Sequence, residues 1–479
     1  MALVQRFIPL LNLKSLLMNI KYSTRRGVVF FSFFSLFFAS AAQIPSTDSI
    51  RHYSALIKRH VYNDYKGMFR PAKGTLPYPF ITPGSDQYAN DLWDWDSWWS
   101  NIALRQIVTD RGNDKEKKEA VAYEQGCVLN FLQFASADGY IPIVVFSGFN
   151  PVDKDHKPAD IYKTNMHKPV LAQHAAFLTQ QASGDAGWLR EKFYLIQAFI
   201  NNYQSHHRHH ATGLYYWQTD LAIGVDNDPS TFFRPPGSSA SIYLNCLMYK
   251  ELRAMVYLAQ RLNLPSIAAE YDSDAKELKA AIQKNCWDER DGFFYSVDIN
   301  LRPVTDTPGM YLGLKLVLHT GFPRAYDGLV QRIGVWSGFM AMWAGIASPE
   351  QAARMVDEHF RNARTFSAPF GIRTLSKLEK MYSVRASNNP SNWLGPIWGI
   401  SNYMVFKGLL NYKFDSEAKE IAAKTISLFG RDFEKNGALH EYYDPETGEP
   451  ILNKGFQNWN YLVMNMLAWM EGRSVIEEF

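Results

Sequence analysis

Ser241-Ile-Tyr-Leu-Asn-Cys-Leu-Met-Tyr-Lys-Glu-Leu-Arg-Ala-Met-Val-Tyr-Leu-Ala-Gln-Arg-Leu262 decides the architecture. Leu244, Leu247, Met248, Leu252, Met255, Val256 and Leu258 recur every three or four residues, the spacing of one helix face and not of a strand. Outward from this segment the same period returns over residues 119–134, 169–182, 189–203, 266–286, 349–360, 397–410 and 416–436, and residues 459–469 make a last apolar helix. Strand-like alternation is scarce, with residues 140–146 the main candidate. The chain therefore reads as all-α, with short β segments in its loops.

The loops between these helices share a loose theme. His210-Ala-Thr-Gly-Leu-Tyr-Tyr, Glu289-Arg-Asp-Gly-Phe-Phe-Tyr and Leu439-His-Glu-Tyr-Tyr-Asp-Pro-Glu-Thr-Gly448 each join a turn glycine to a run of aromatics. Helix–loop–helix units about 35–60 residues apart without a strict consensus point to a closed ring of helical hairpins more than to a solenoid. In such a ring the loops at one end converge on a central cavity.

With 479 residues, 47 % of them hydrophobic, the chain has material for one large core or two to four average domains, and wholesale disorder is excluded. Fifty Lys and Arg against 47 Asp and Glu give +3, without a basic block beyond the N-terminus, so a nucleic-acid partner is not expected. Residues 1–41 hold Arg6, Lys14, Lys21, Arg25 and Arg26, no acid, an apolar run over 28–38 and then Ala39-Ser40-Ala41. That order describes a secretory signal peptide, and the run is shorter than the about 20 apolar residues of a membrane span. The expectation is a leader over 1–41 and a single domain over 42–479, periplasmic or secreted, with no membrane attachment after cleavage. Without the leader the balance is 45 basic to 47 acidic residues, or −2. Cys127, Cys246 and Cys286 allow at most one disulfide and fit no metal-binding spacing.

Four clusters carry chemistry. In Asn90-Asp-Leu-Trp-Asp-Trp-Asp-Ser-Trp-Trp99, three acids stand among four tryptophans. On a helix Asp91, Trp95 and Trp98 share one face. Unpaired carboxylates are poor core material, whereas indoles beside carboxylates suit a sugar, whose C–H face stacks on Trp and whose hydroxyls donate to Asp. Leu221-Ala-Ile-Gly-Val-Asp-Asn-Asp-Pro-Ser230 sets Asp226 between apolar residues, where a raised pKa would suit a general acid. The same loop is an ordinary turn sequence, or a candidate calcium loop whose spacing is not that of an EF-hand. Asn392-Trp-Leu-Gly-Pro-Ile-Trp398 opens an apolar helix with two indoles and an amide. His440-Glu-Tyr-Tyr-Asp-Pro-Glu-Thr-Gly448 sets Glu441 among aromatics, and Gly455-Phe-Gln-Asn-Trp459 adds one more indole. There is no phosphate loop, nucleophile elbow or His-Glu-x-x-His motif, and the run His206-His207-Arg208-His209-His210 reads as solvated.

In this order the clusters resemble the clan of inverting α-glycosidases formed by trehalase and glycoside hydrolase family 63, including its mannosylglycerate hydrolase-like branch. The matching segments are Trp95-Asp96-Ser97, Gly224-Val-Asp226-Asn-Asp-Pro229, Asn392–Trp398 and Glu441-Tyr442-Tyr443-Asp444. Two departures stand out. Position 394 is Leu where many relatives have Arg, and there is no room for the large N-terminal β-domain of many family 63 enzymes.

The resemblance implies an (α/α)6 barrel and an inverting, exo-acting, α-glucosidase-like hydrolase of α-linked di- or oligosaccharides. Trehalose, mannosides and glycosyl-glycerates follow glucosides as substrates. Asp226 is then the general acid and Glu441 the general base. Trp95, Trp393, Trp398 and Trp459 would form walls around the sugar, with Gly395 in the same subsite segment. Asp96, Asn392 and Gln173 would bind hydroxyls, and Lys168 would neutralise a nearby acid. No metal or cofactor is required, with structural calcium the open alternative, and the partner is a carbohydrate. A non-catalytic sugar-binding protein on the same scaffold would keep the indoles yet tolerate loss of either carboxylate. An epimerase or lyase would instead rely on His, Tyr or Arg and release an epimer or an unsaturated sugar.

Overall fold

Two kinds of helix alternate along the chain. In the computed structural model, which describes residues 45–148, 165–221, 223–232, 234–301, 310–311, 314–315, 325–385 and 390–479, they are in order α1 (Thr47–Asp64), α2 (Asp94–Arg111), α3 (Asp114–Gln133), α4 (Leu171–Gln181), α5 (Phe193–His206), α6 (Ile242–Arg261), α7 (Pro265–Cys286), α8 (Met340–Trp343), α9 (Pro349–Arg354), α10 (Gly399–Asn411), α11 (Asp415–Asn436) and α12 (Val463–Met470). The leader expected over residues 1–41 lies outside the described residues.

The even-numbered helices are the inner ones. α2 is buried without interruption from Asp94 to Val108, and α10 from Gly399 to Leu409. A helix covered on every side belongs inside. The odd-numbered helices keep a polar face: α7 buries only Ala268, Tyr271, Ala275, Leu278, Ile282 and Cys286, at the three-to-four-residue spacing of a single stripe. Contacts close the inner helices into a ring, α2 on α4, α4 on α6, α6 on α8, α8 on α10, and α10 on α12, which returns to α2. Outer helices cover this ring, α3 against α2 and α4, α7 against α6, and α11 against α10, α12 and α1. The result is an (α/α)6 barrel. Its axis is filled by Trp98 and Trp99 of α2 against Trp343 of α8, with Tyr403 of α10 edge-on to Trp99.

Strands among the described residues are two or three residues long and belong to loops. The alternation at 140–146 contributes only Val144–Phe146, which pairs antiparallel with Asp91–Trp93. This pairing corrects the reading of the Trp/Asp cluster as one helix. Asp91, Leu92 and Trp93 are extended, and α2 starts at Asp94, whose N–H donates to the Ile143 carbonyl.

The end of the barrel where the inner helices finish is closed by the chain's last residues. Gln106 of α2 bonds the backbone of Ser474 and Ile476, and Asn465 of α12 donates to the Ile476 carbonyl. Buried Glu478 accepts from Trp343 Nε1 and Tyr403 Oη, each at 3.0 Å. All three cysteines of the described residues are buried free thiols, so the one disulfide the count allows is not formed. Among the described residues no helix is long and apolar enough to cross a membrane.

Candidate active site

At the opposite end, where the inner helices begin, lies a cavity of about 490 Å³, within the usual range for small-molecule sites. Residues at or just before the starts of α2, α4, α10 and α12 line it, Trp95 and Asp96, Lys168, Trp398, and Trp459, together with Asp226 from the loop between α5 and α6. Glu441, in the loop after α11, completes the wall. Segments up to 364 residues apart thus meet because the ring stacks the helix starts around one mouth. Each start also carries the positive end of its helix dipole, which favours negative charge there.

The acidic loop is held by local geometry. Gly224 has φ +85°, and a Cβ there would lie 2.6 Å from Lys168 Cε and 2.9 Å from the Trp95 ring, so only glycine passes. Asn227 has φ +53°, a conformation Asn tolerates better than most residues. Its Oδ1 accepts from the Trp393 N–H at 2.9 Å and its Nδ2 reaches Asn392 Oδ1 at 3.4 Å. Asp226, between these two, is partly buried and faces the cavity.

Glu441 precedes the strand Tyr442–Tyr443, the middle of a three-stranded patch in which Trp398 pairs with Tyr442 and Tyr442 with Ile451. Tyr88 Oη donates to Glu441 Oε1 at 3.3 Å and Asn453 Nδ2 donates to Oε2. Burial pushes the Glu441 carboxyl up to about 7. The two hydrogen bonds oppose that rise, and the charges of Asp96 and Asp226 add to it. Asp96 also reaches about 7, mainly through burial, and accepts from Asn458 Nδ2 at 2.6 Å.

Lys168 lines the cavity and is paired with an acid. Its Nζ donates to both oxygens of buried Asp94, at 2.8 and 3.0 Å, its backbone N–H donates to the same carboxylate, and it lies 5.6 Å from the Trp95 ring.

Four expected site residues do not line the cavity. Gln173 is fully buried, and its amide donates to the carbonyls of Pro169 and Leu247, tying α4 to α6. Asn392 is a strut: it bonds Asn227, Ser383 and the Leu394 N–H, and its carbonyl accepts from Trp398 Nε1 at 2.9 Å. Trp393 stacks behind Trp398, with centroids 4.1 Å apart and planes 11° apart, and is itself backed by Trp336. Gly395 turns the chain at φ +141° where a Cβ would strike the Tyr382 ring at 2.5 Å. Each supports a wall that another residue presents.

Lining residues the motifs do not reveal include Tyr88, Asp220, Phe232 and Leu452. Nor is the histidine run uniformly solvated. His207 is buried beside Tyr203 and Tyr216, with its pKa lowered by burial to about 4. Among the described residues no group of three His, Cys, Asp or Glu side chains is placed to hold a metal ion, and Asp228 Oδ1, in the candidate calcium loop, accepts from the Ser230 N–H.

Comparison with known proteins gives this geometry a family. Residues 88–460 match the model of the mannosylglycerate hydrolase MGH1-like glycoside hydrolase domain. Mannosylglycerate hydrolase MGH1 of Selaginella moellendorffii is 22 % identical over 85 % of this chain and 83 % of its own length. A probable mannosyl-oligosaccharide glucosidase of Schizosaccharomyces pombe is 22 % identical over 63 % of this chain, but this chain spans only 34 % of that protein. In fold, the family 63 mannosylglycerate hydrolase of Thermus thermophilus, solved with glucose, superposes with a TM-score of 0.58 at 18 % identity, covering 86 % of this chain and 98 % of that one. With the family model spanning most of its length, the chain belongs to the mannosylglycerate hydrolase MGH1-like glycoside hydrolases, within the inverting α-glycosidase clan of family 63 and trehalase.

Proposed function

We propose that this protein is an exported, inverting, exo-acting α-glycosidase that removes a terminal α-linked hexose, glucose before mannose, from a disaccharide, short oligosaccharide or glycosyl-glycerate. One observation carries the reading: Asp226 and Glu441, 215 residues apart in sequence, face one cavity walled by Trp95, Trp398 and Trp459. Asp226 protonates the glycosidic oxygen as the bond to the anomeric carbon breaks. Glu441 takes a proton from a water attacking the opposite face, and an inverting site leaves roughly 6.5–9.5 Å between its carboxyls for that water. Trp95, Trp398 and Trp459 offer indole faces to the C–H face of a sugar, and Asp96 on the same wall offers an acceptor to a hydroxyl. The chemistry asks for no metal or cofactor. The basic and apolar leader supports export.

Proton NMR of hydrolysis across α-glucosides, trehalose, α-mannosides and mannosylglycerate tests the proposal. The β-anomer of the released sugar is expected first, and Asp226→Asn and Glu441→Gln should each lower kcat by about 10²–10⁴-fold. Initial release of the α-anomer, or wild-type turnover by either variant, overturns it.

A further inference from the structure

The acid's loop holds a second carboxyl that this mechanism has not used. Asp220 lines the same cavity six residues before Asp226. Its Oδ2 accepts from the Asn227 N–H at 3.0 Å, on the peptide unit directly after Asp226, while its Oδ1 is buried with no hydrogen-bond partner among the described residues. A charged carboxylate with one oxygen buried and unsatisfied is costly, so this group favours its protonated form.

Resting on the glycosidase reading, we propose that Asp220 is a positioning residue for the acid: Asp220 and Asp226 carry one proton between them, which keeps Asp226 able to protonate the leaving oxygen at neutral and mildly alkaline pH. Two neighbouring carboxyls resist losing their last proton because the second ionisation places like charges side by side. Asp220 follows that logic. Its pKa rises to about 8, first through burial and then through the charges of Asp228 and Asp226. The other ionisable groups around the pair are Asp96 at the start of α2, Glu441 after α11, Tyr88, Tyr243 of α6, and Lys168, which Asp94 neutralises.

The proton balance closes. Asp226 gives its proton to the departing oxygen, Glu441 gains one from the attacking water, and solvent returns a proton to the pair as Glu441 releases its own. The net change is one water added across the bond.

The test is the pH profile of kcat/KM for wild type, Asp220→Asn and Asp220→Glu. In wild type the basic limb reports the pair, near about 8. In Asp220→Asn it reports Asp226 alone and should fall by at least one pH unit, an extra loss of about tenfold at pH 8 relative to pH 6.5. The acid limb should stay in place, and Asp220→Glu should restore the basic one. Parallel profiles overturn the proposal. Carbon-13 carboxyl NMR of folded protein decides the matter without turnover. An Asp resonance titrating near 8 in wild type should move at least one unit lower in Asp226→Asn, and an unmoved one refutes the pair. Should wild type hydrolyse nothing, the glycosidase reading fails while this titration still judges the shared proton.

Discussion

Asn453→Gly isolates one contribution to Glu441, the base of the proposed mechanism. Asn453 sits at φ +43°, where glycine is at ease, so the substitution removes the amide without straining the turn. What is lost is the Nδ2 donor to Glu441 Oε2, a bond that favours the ionised carboxylate. Hydrogen bonds to charged groups are worth about 1.5–3 kcal/mol, and one pKa unit corresponds to about 1.4 kcal/mol. Part of the loss is recovered by water, because Asn453 is only partly buried, so a rise of about one unit is expected, from about 7 toward about 8. The sign follows: the proton binds Glu441 more tightly, the base is ionised later, and the acid limb of kcat/KM moves up. At pH 6.5 the ionised fraction falls from about a quarter to about 3 %, an approximately eightfold loss, whereas at pH 9 the two proteins converge. Initial rates between pH 5.5 and 9, on whichever α-glycoside wild type turns over best, measure the ratio. A ratio independent of pH would refute the reasoning, because it would mean that Asn453 shapes the site without tuning the base.

Tyr88→Phe removes the longer, neutral bond to Oε1 and should shift the same limb in the same direction by less than Asn453→Gly, read from the same profiles. Lys168→Met strands buried Asp94 without its partner and should cost about 3–5 kcal/mol in urea unfolding. Glu478→Ala removes the acceptor for Trp343 and Tyr403 and the more distant of the two carboxylates beside buried Lys407, which keeps Glu477, and a loss of about 1–3 kcal/mol by thermal or urea melts is expected without a change in KM, since the barrel's far end is remote from the cavity mouth. Burial raises Glu441 and Asp96 to about 7, so the folded chain binds these protons more tightly than the unfolded one. Their stabilising contribution is complete below the unfolded value near 4 and is lost as pH rises through 7. Melting temperature should therefore fall less between pH 5.5 and 8.5 in Glu441→Gln than in wild type, and an equal fall would count against the raised value. The comparison with wild type cancels the opposite trend from buried His167, His174 and His207, lowered to about 4, 3 and 4.

Helix periodicity exposes the scaffold because it is local. Residues 266–286 and 416–436 read as amphipathic helices and fold as α7 and α11 to within one residue at either end. Periodicity fails where a partner far along the chain decides. The break at Asp94 depends on pairing with Val144–Phe146, some 50 residues away, and α8 is four residues long because a 3-10 turn over Trp336–Phe339 precedes it. The site divides in the same way. Asp226, Glu441, Trp95, Asp96, Trp398 and Trp459 stand in motifs whose composition is odd for a core, and all reach the cavity. Asn392 and Gln173 have the right chemistry for a sugar, yet their amides satisfy backbone groups inside the wall, a use that composition cannot tell from recognition. Tyr88 is 353 residues from Glu441 and belongs to no cluster, so only the ring closure reveals it.

The gap between the two carboxyls is set by a belt of anchored links and not by two free loops. Asp226 is followed by Asn227, whose amide clasps the Asn392 side chain and the Trp393 backbone N–H. The carbonyl of Asn392 fixes the Trp398 indole, Trp398 pairs with Tyr442 and stacks on its ring at 4.9 Å, and Tyr442 follows Glu441 directly. Tyr88 then joins Glu441 to the start of α2, lying edge-on to Trp93 at 6.0 Å. A chemistry that needs one water between two carboxyls tolerates little drift, since positional precision is where much of such catalysis originates. Under the proposed mechanism that requirement accounts for residues with sugar-binding chemistry serving as struts here: an amide joining two loops holds Asp226 and Glu441 at a fixed separation.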